Sequence, residues 1–328
     1  MLINWVVIKM TVKIVFLDHD TFPEGINIKK INKEYSLELY GKTSEDEIIE
    51  RVKNANIIIT NKVKITKKII ESAKQLKFIS VAATGTDVID IGACNERNIL
   101  VSNIRNYAIN TVPEHTFTLI LALRRSLLAY AQSVRNGRWQ ESGQFCYFDY
   151  KINNLAGSTL GIIGDGVLGK AVADIAKAFG MKVLFSTYKG TNNMGPLYTP
   201  FEDVIAKSDI ISIHCPLLKS TKDLISFSEF EQMKPSCILI NTARGGIVNE
   251  EALYGALINN KILGAGFDVC ISEPPEKESY MMKLTQLSNF ILTPHISWAS
   301  FEAIQTLSDM MMDNIEAFLS GHPQNLVN

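Results

Sequence analysis

Short apolar runs alternate with segments of helical spacing along most of the chain. In the first third, the predicted strands are residues 12–17, 57–60, 77–83 and 99–103. The predicted helices between them are residues 44–54, 66–75 and 90–98. Such alternation is typical of a parallel sheet with helices on both faces, so we expect an α/β domain here.

The second half of the chain opens with a strand, a glycine-rich turn and a helix. A predicted strand at 159–163 leads into Gly-Asp-Gly-Val-Leu-Gly at 164–169 and then into a predicted helix at 170–179. In such a turn Gly164 permits the tight bend, Gly166 lets a pyrophosphate approach the backbone, and Gly169 lets helix and strand pack closely. N–H groups at the helix N-terminus favour phosphate. This stretch predicts a dinucleotide site.

The residues that follow the next predicted strand, 182–185, leave the choice of cofactor open. An acid about twenty residues beyond the glycines usually binds the ribose 2′-hydroxyl of NAD. The sequence here is Ser-Thr-Tyr-Lys at 186–189, with no acid. Hydroxyl groups and a lysine can instead receive a 2′-phosphate, so NAD and NADP both stay open.

Strand and helix continue to alternate after the glycine turn. The remaining predicted strands are residues 209–214, 237–242, 264–269 and 290–292. The remaining predicted helices are residues 201–207, 227–233, 250–259 and 300–319, the last capped by Ser300. Because one predicted domain precedes the glycine turn and a long helix ends the chain, we expect that helix to return to the first domain. The expected domains are 1–106 plus 296–328, and 107–295.

A long helix is predicted at the start of the second domain. Thr111 and Glu114 have the spacing of a capping box, with Pro113 in the first turn, and the helix is expected to run to about residue 136. Its surface is largely apolar and it leads into the aromatic-rich stretch 139–150, which indicates a dimer interface. His115 is interpreted as a packing or capping residue.

The loop at 82–87, Ala-Ala-Thr-Gly-Thr-Asp, follows a predicted strand in the first domain. Ligands of open α/β sheets bind at the carboxyl ends of strands. A glycine there lets backbone N–H groups face a small anion such as a carboxylate. An ordinary strand-to-helix turn explains the loop equally well.

Three polar residues follow strands at the carboxyl edge of the second predicted sheet: Arg244, Glu273 and His295. Each alone also fits a structural role, but together beside a dinucleotide they favour catalysis. A ketone that receives a hydride needs a proton from an acid that works near neutral pH, which suits His295. Glu273 can orient the imidazole, and Arg244 can bind a 2-keto acid with its planar fork. Asp268 is expected at the carboxamide end of the nicotinamide.

The segments 164–169, 241–246, 266–274 and 293–295 resemble, in order and spacing, the signatures of the D-isomer-specific 2-hydroxyacid dehydrogenases. The resemblance implies two doubly wound parallel-sheet domains, one Rossmann-like and one flavodoxin-like. It implies His295 as acid and base, Glu273 as its partner and Arg244 as substrate anchor, with Thr84 and Gly85 holding the substrate carboxylate through backbone N–H groups. It also implies a homodimer. The implied cofactor contacts are the glycine turn together with Thr111, Val167, Leu168, His214, Cys215, Pro216, Thr221, Thr242, Ala243 and Asp268, and Thr187 is expected beside them from its place at the end of the second strand.

Within this family, residues 137–140, 295–300 and 325–328 look most like glycerate dehydrogenase (hydroxypyruvate reductase) members. Many of those carry an acid where Thr187 stands, so cofactor preference stays open. Hydroxypyruvate or D-glycerate is the favoured substrate, with glyoxylate, pyruvate and 3-phosphohydroxypyruvate as alternatives. A non-catalytic dinucleotide sensor, similar to the corepressors built on this fold, is the alternative from another class.

Composition narrows the remaining choices. The chain has 328 residues, a net charge of −1 and 46% hydrophobic residues, which is ordinary for a globular protein and disfavours binding to nucleic acid or to an anionic membrane. Its five cysteines are scattered and lack metal-binding spacing, so we expect reduced thiols, a cytoplasmic location and no metal. Residues 1–10 lack the basic start and cleavage site of a signal peptide, and the first nine are interpreted as an extension.

Overall fold

The computed structural model describes residues 11–191 and 193–328. The expectation for the first nine residues therefore lies outside the described part of the chain. The chain divides into two compact units, one comprising Ile109–Ala299 and the other the residues up to Ala108 together with Ser300–Asn328. Each unit contains one parallel sheet, which confirms the predicted fold class.

The first unit has a five-stranded sheet in the order β2-β1-β3-β4-β5, with every pairing parallel. Its strands are β1 Val12–Phe16, β2 Tyr35–Leu39, β3 Ile57–Thr60, β4 Phe78–Val81 and β5 Leu100–Ser102. Its first helices are α1 Ile48–Val52, α2 Lys67–Ser72 and α3 Ile91–Glu96. The sequence did not predict β2. This strand lies at the sheet edge and none of its residues is fully buried, so it lacks the apolar signature of its neighbours.

The second unit has a seven-stranded parallel sheet in the order β12-β11-β10-β9-β6-β7-β8. Its strands are β6 Thr159–Ile163, β7 Lys182–Ser186, β8 Tyr198–Thr199, β9 Ile210–Ile213, β10 Ile238–Asn241, β11 Gly264–Phe267 and β12 Phe290–Leu292. Its helices are α4 Thr111–Arg124, α5 Leu127–Arg135, α6 Arg138–Ser142, α7 Val167–Ala178, α8 Phe201–Lys207, α9 Phe227–Gln232, α10 Glu250–Ile258 and α11 Tyr280–Leu284. The strand order reverses at β6, between β7 and β9, and ligands of such sheets bind at this switch point.

Apolar cores cover both faces of the second sheet. Ile211 and Leu239 belong to the core packed against α8, α9 and α10. Their sequence neighbours Ile210, Ile238 and Ile240 belong to the opposite core, which also contains apolar residues of α4 and α7. Because successive strand residues enter opposite cores, both must be apolar, which explains the continuous hydrophobic runs.

The single helix predicted at 111–136 is wrong in one respect, because the structure divides it into α4 and α5. The break is at Ser126, whose backbone is left-handed with φ of +48°. The Arg124 side chain is buried and donates to the carbonyl oxygen of Asn154 at 2.6 Å. The Ser126 hydroxyl donates to the carbonyl oxygen of Lys151 at 2.7 Å. These bonds to a distant segment stabilise a break that local sequence cannot indicate.

The predicted capping box at the start of α4 is also wrong. Asn110 occupies the N-cap position, and no side chain caps the helix. The Thr111 hydroxyl instead donates to the carbonyl oxygen of Ser297 at 3.2 Å. This residue therefore ties the start of α4 to the loop that follows β12.

The last helix, α12, spans Phe301–Leu319 and belongs to the first unit. The Ser300 side chain accepts from the N–H of Ala303 at 3.1 Å, as predicted for its cap. Phe318 stacks on Phe78 of β4 with ring centroids 4.4 Å apart. Among the described residues, no helix is long and apolar enough to cross a membrane.

Candidate active site

The glycine turn lies at the switch point and has the geometry that its sequence predicts. Gly164 has φ of +105°, and a Cβ there would lie 2.6 Å from the backbone of His214. A Cβ on Gly169 would lie 2.1 Å from the carbonyl oxygen of Gly164. A Cβ on Gly166 would meet no atom within 4 Å, so this position is open to a ligand. The turn and the N-terminus of α7 therefore fit the pyrophosphate of a dinucleotide.

His214 and Cys215 directly follow β9, lie against Gly164 and are uncharged near neutral pH. His214 Nε2 lies 2.8 Å from the Ser212 hydroxyl, and burial lowers the pKa of His214 to about 4. Burial raises the pKa of the Cys215 thiol to about 11. The Thr221 hydroxyl donates to the carbonyl oxygen of Pro216 at 2.6 Å and closes the following loop. The predicted contacts His214 and Cys215 thus lie beside Gly164 as neutral groups, and Pro216 and Thr221 follow in the same loop.

Val167 and Leu168 lie in the first turn of α7, directly after the glycines. Val167 is exposed and Leu168 half-buried. Neither can donate a side-chain hydrogen bond, so these two residues can offer a phosphate only their backbone N–H groups.

The Thr187 side chain is buried and points toward the start of α8. Thr187 is only 3% exposed, and its hydroxyl accepts from the N–H of Phe201 at the start of α8 at 3.1 Å. The Lys189 ammonium lies 2.7 Å from Oε1 of Glu229, a carboxylate whose side chain is 3% exposed. These contacts disfavour the interpretation that Thr187 and Lys189 receive a 2′-phosphate.

Arg244 follows β10 in a loop that the Asn241 side chain stabilises. The Asn241 amide donates to the carbonyl oxygen of Arg244 at 3.0 Å, and its own oxygen accepts from the N–H of Ala243 at 3.0 Å. The Arg244 guanidinium donates to the carbonyl oxygen of Ala243 at 2.7 Å. Asn241 was not among the predicted site residues, because its contribution depends on the fold of the loop.

The loops after β10 and β11 are in direct backbone contact. A Cβ on Gly245 would lie 1.9 Å from the carbonyl oxygen of Cys270, so only glycine fits at this position. The N–H of Cys270 donates to Oε1 of Glu273 at 3.0 Å. Arg244 and Glu273 therefore belong to neighbouring loops that pack against each other.

Glu273 and His295 form a hydrogen-bonded pair. His295 Nδ1 lies 2.6 Å from Oε2 of Glu273. Because an ionised carboxylate can only accept, Nδ1 carries a proton in this pair and Nε2 is the atom left for proton exchange. The pair borders a cavity of about 450 Å³, whose lining also includes Met282, Leu292 and Pro294.

Buried hydrogen bonds hold the backbone of His295 in place. Its φ of +54° is left-handed, which costs about 1–3 kcal/mol for a residue other than glycine. The Asp268 carboxylate accepts from the N–H of Ile296 at 2.9 Å and from the N–H of Ser297 at 2.8 Å. The Trp298 indole donates to the carbonyl oxygen of His295 at 2.8 Å.

Asp268 lines the same cavity as Glu273 and His295, although it is almost fully buried. Its side chain has no exposed surface, and the Thr293 hydroxyl donates to it at 2.5 Å. His115 Nε2 lies 3.0 Å from the same hydroxyl, which agrees with a structural role for His115. The Asp268 carboxylate therefore orients the loop that carries His295, and its contact with the nicotinamide carboxamide stays a prediction.

The remaining predicted contacts of the second unit lie on α4 and after β10. The Thr116 hydroxyl on α4 lies 3.1 Å from the Thr242 hydroxyl, and Thr242 is almost fully buried. Ala243 is half-buried between Thr242 and Arg244. Thr111 lies at the start of α4, so these residues border the same carboxyl edge of the sheet.

Thr84 and Gly85 belong to the first unit and follow β4. The Thr84 hydroxyl donates to the carbonyl oxygen of Ile104 at 2.8 Å, and Asn103 donates to the carbonyl oxygen of Thr84 at 2.7 Å. These bonds fix the loop, whose backbone at Gly85 is half-exposed. Their contact with a substrate stays a prediction.

The second unit therefore contains a glycine turn that fits a dinucleotide, a histidine paired with a carboxylate, and an arginine in the adjacent loop. This set suits the transfer of a hydride coupled to the transfer of a proton. Among the described residues, no group of histidine, cysteine and acidic side chains could hold a metal ion.

Comparisons with known proteins agree with this chemistry. Residues 117–297 match the sequence profile described as D-isomer specific 2-hydroxyacid dehydrogenase, NAD binding domain. The chain is 48% identical to a glycerate dehydrogenase of Methylorubrum extorquens over 97% of this chain and 99% of that protein. It is 34% identical to a hydroxypyruvate reductase of Blautia hydrogenotrophica over 96% of this chain and 99% of that protein. A solved acyclic imino acid reductase in complex with NADPH and D-Arg superposes with a TM-score of 0.83 at 32% identity, over 97% of this chain and 100% of the other.

Proposed function

The chain belongs to the D-isomer-specific 2-hydroxyacid dehydrogenase family, and we propose that it reversibly reduces hydroxypyruvate to D-glycerate. As a member of this family it is an NAD(P)-dependent oxidoreductase that acts on a small 2-keto or 2-hydroxy acid. The observation that carries the proposal is the 2.6 Å contact between His295 and Glu273, in the unit that also contains the glycine turn.

His295 is the proposed acid and base of the reaction. When bound, the nicotinamide supplies the hydride for the carbonyl carbon in reduction and accepts it in oxidation. The proton that the carbonyl oxygen then needs comes from Nε2 of His295, and the same atom takes it back in the reverse direction. Glu273 fixes the ring orientation through Nδ1 and stabilises the positive charge of the imidazolium.

Arg244 is the proposed substrate anchor. A guanidinium presents parallel N–H groups that match the oxygens of a 2-keto acid, and its charge does not depend on pH in the working range. The packing of Gly245 against Cys270 keeps this loop beside the loop of Glu273. Thr84 and Gly85 stay predicted ligands of the substrate carboxylate.

Hydroxypyruvate is the proposed substrate because relatives named glycerate dehydrogenase and hydroxypyruvate reductase match this chain over almost its whole length. The test is a panel of initial rates with hydroxypyruvate, glyoxylate, pyruvate and 3-phosphohydroxypyruvate, each with NADH and with NADPH. We expect the highest kcat/KM with hydroxypyruvate and D-glycerate as the product on chiral chromatography. A higher value for another keto acid would reassign the substrate. If no keto acid in the panel causes oxidation of NADH or NADPH, the result would favour a non-catalytic dinucleotide-binding protein.

A homodimer is proposed from an apolar surface within residues 127–152 of the second unit. Phe145 and Phe148 are 92% and 81% exposed, which is unusual for phenylalanine on a monomer surface. The other large apolar side chains exposed in this segment are Leu127, Leu128, Val134, Trp139 and Ile152.

The buried or half-buried free cysteines fit a reducing compartment, so we also propose a cytoplasmic location.

The double substitution Phe145→Ser and Phe148→Ser is expected to convert the dimer to a monomer, because it removes large apolar side chains from the proposed interface. Light scattering coupled to size-exclusion chromatography measures the mass. Ile258→Ser is the matched control, because it also removes an exposed apolar side chain but lies on α10, outside the proposed interface. It should leave the dimer intact. A monomeric wild type, or a double variant that stays dimeric, would refute this interface.

A further inference from the structure

The adenosine end of the cofactor site lacks the acid that usually binds the ribose. The structure has another carboxylate close to the position where that acid would stand. The usual position is the end of β7, where this chain has the buried Thr187. The acid in question is Asp165, which stands between the first two glycines of the turn and directly follows β6 with Gly164. Asp165 is half-buried, so its carboxylate is neither enclosed in the core nor free in solvent.

A tyrosine from the edge of the sheet holds this carboxylate. The Tyr198 hydroxyl donates to Oδ2 of Asp165 at 2.5 Å. Tyr198 lies in β8, which pairs with β7 through Phe185 and Ser186. Since β7 lies between β6 and β8 in the sheet, the bond spans the end of β7. It therefore places the Asp165 carboxylate beside the strand end where a ribose-binding acid is normally found.

The setting of Asp165 keeps it charged. The hydrogen bond from Tyr198 is the main cause that lowers the pKa of Asp165 below its ordinary value, and the positive charge of Lys170 acts in the same direction. Lys189, which follows β7, has its ammonium bound to Glu229 at 2.7 Å and is not among the charges that act on Asp165. A fixed negative charge beside the ribose site accepts hydroxyl hydrogen bonds and repels a phosphate.

We propose that Asp165, held by Tyr198, takes the place of the missing acid, accepts a hydrogen bond from the adenosine ribose, and makes the enzyme prefer NADH to NADPH. The inference rests on the proposed function for its setting, since it concerns the cofactor of the same site. The new element is that a residue inside the glycine turn sets the preference for NADH, whereas the sequence alone left NAD and NADP open.

The test measures binding of each cofactor to the full-length protein by fluorescence titration with NADH and NADPH, without any keto acid. Wild type should bind NADH more tightly. Asp165→Asn keeps the shape and the capacity to bond with Tyr198 but removes the charge, so the preference should shift toward NADPH by on the order of tenfold. Asp165→Ser should shift it in the same direction, and circular dichroism confirms that each variant is folded.

Lys189→Met is the matched control, because it changes a charge close to the same strand end without touching Asp165. The inference expects it to leave the ratio of the two dissociation constants within about twofold of wild type. Tighter binding of NADPH than of NADH by wild type, or an unchanged ratio in both Asp165 variants, would overturn the inference and leave Asp165 as a structural tie to β8. A shifted ratio in a protein that reduces no keto acid would refute the proposed function alone.

Discussion

Replacing His295 with alanine is expected to lower kcat for hydroxypyruvate reduction by about 10²–10⁴, because the carbonyl oxygen loses its positioned proton donor. Binding of NADH should persist, since the glycine turn and the residues after β9 are untouched. Steady-state rates at saturating NADH measure the first effect, and fluorescence titration measures the second.

Glu273→Gln is the matched variant for the same pair. It keeps a side chain that can bond with His295 Nδ1 but removes the charge that stabilises the imidazolium, so its kcat should fall less than that of His295→Ala. Turnover of His295→Ala close to wild type would show that another group, or water, protonates the substrate.

Replacing Arg244 with alanine is expected to lower kcat/KM for hydroxypyruvate by a similarly large factor, because the substrate loses its anchor. A charged hydrogen bond contributes about 1.5–3 kcal/mol, so loss of a bidentate pair removes roughly 3–6 kcal/mol. That corresponds to a fall in kcat/KM for hydroxypyruvate on the order of 10²–10⁴. Saturation curves for hydroxypyruvate at fixed, saturating NADH measure the change.

Arg244→Lys distinguishes the fork from the charge. Lysine keeps the positive charge but cannot form the planar pair, so it should recover only part of the lost kcat/KM. The dissociation constant of NADH should stay close to that of wild type in both variants. If Arg244→Ala leaves KM and kcat within about twofold of wild type, Arg244 does not anchor the substrate.

The sequence predicted the parallel sheets because their strands are buried on both faces and are therefore continuously apolar. It missed β2 and β8, which are edge strands whose half-exposed residues carry no such signal. It also missed the break at Ser126, which depends on bonds from α4 and the break itself to residues 151–154. The local pattern of residues could not predict these features, because they depend on contacts with segments that are distant in sequence.

The candidate site divides along the same line. The glycine turn could be predicted in detail because its requirements are local: a left-handed backbone at Gly164 and no room for a Cβ at Gly169. The order of Arg244, Glu273 and His295 after successive strands was also visible. The sequence could not indicate that Asp268 is buried or that the Thr187 side chain points inward. It gives the order of residues along a strand end but not the direction of each side chain.

The central claim is that His295, oriented by Glu273, exchanges a proton with the substrate oxygen while Arg244 binds the same molecule. A crystal structure of the protein with NADH and oxamate, a 2-keto acid analogue that is not reduced, tests it most directly. We expect the carbonyl oxygen of oxamate within hydrogen-bond distance of Nε2 of His295, and the Arg244 guanidinium bonded to oxamate. Oxamate bound away from both side chains, with the cofactor in place, would contradict it.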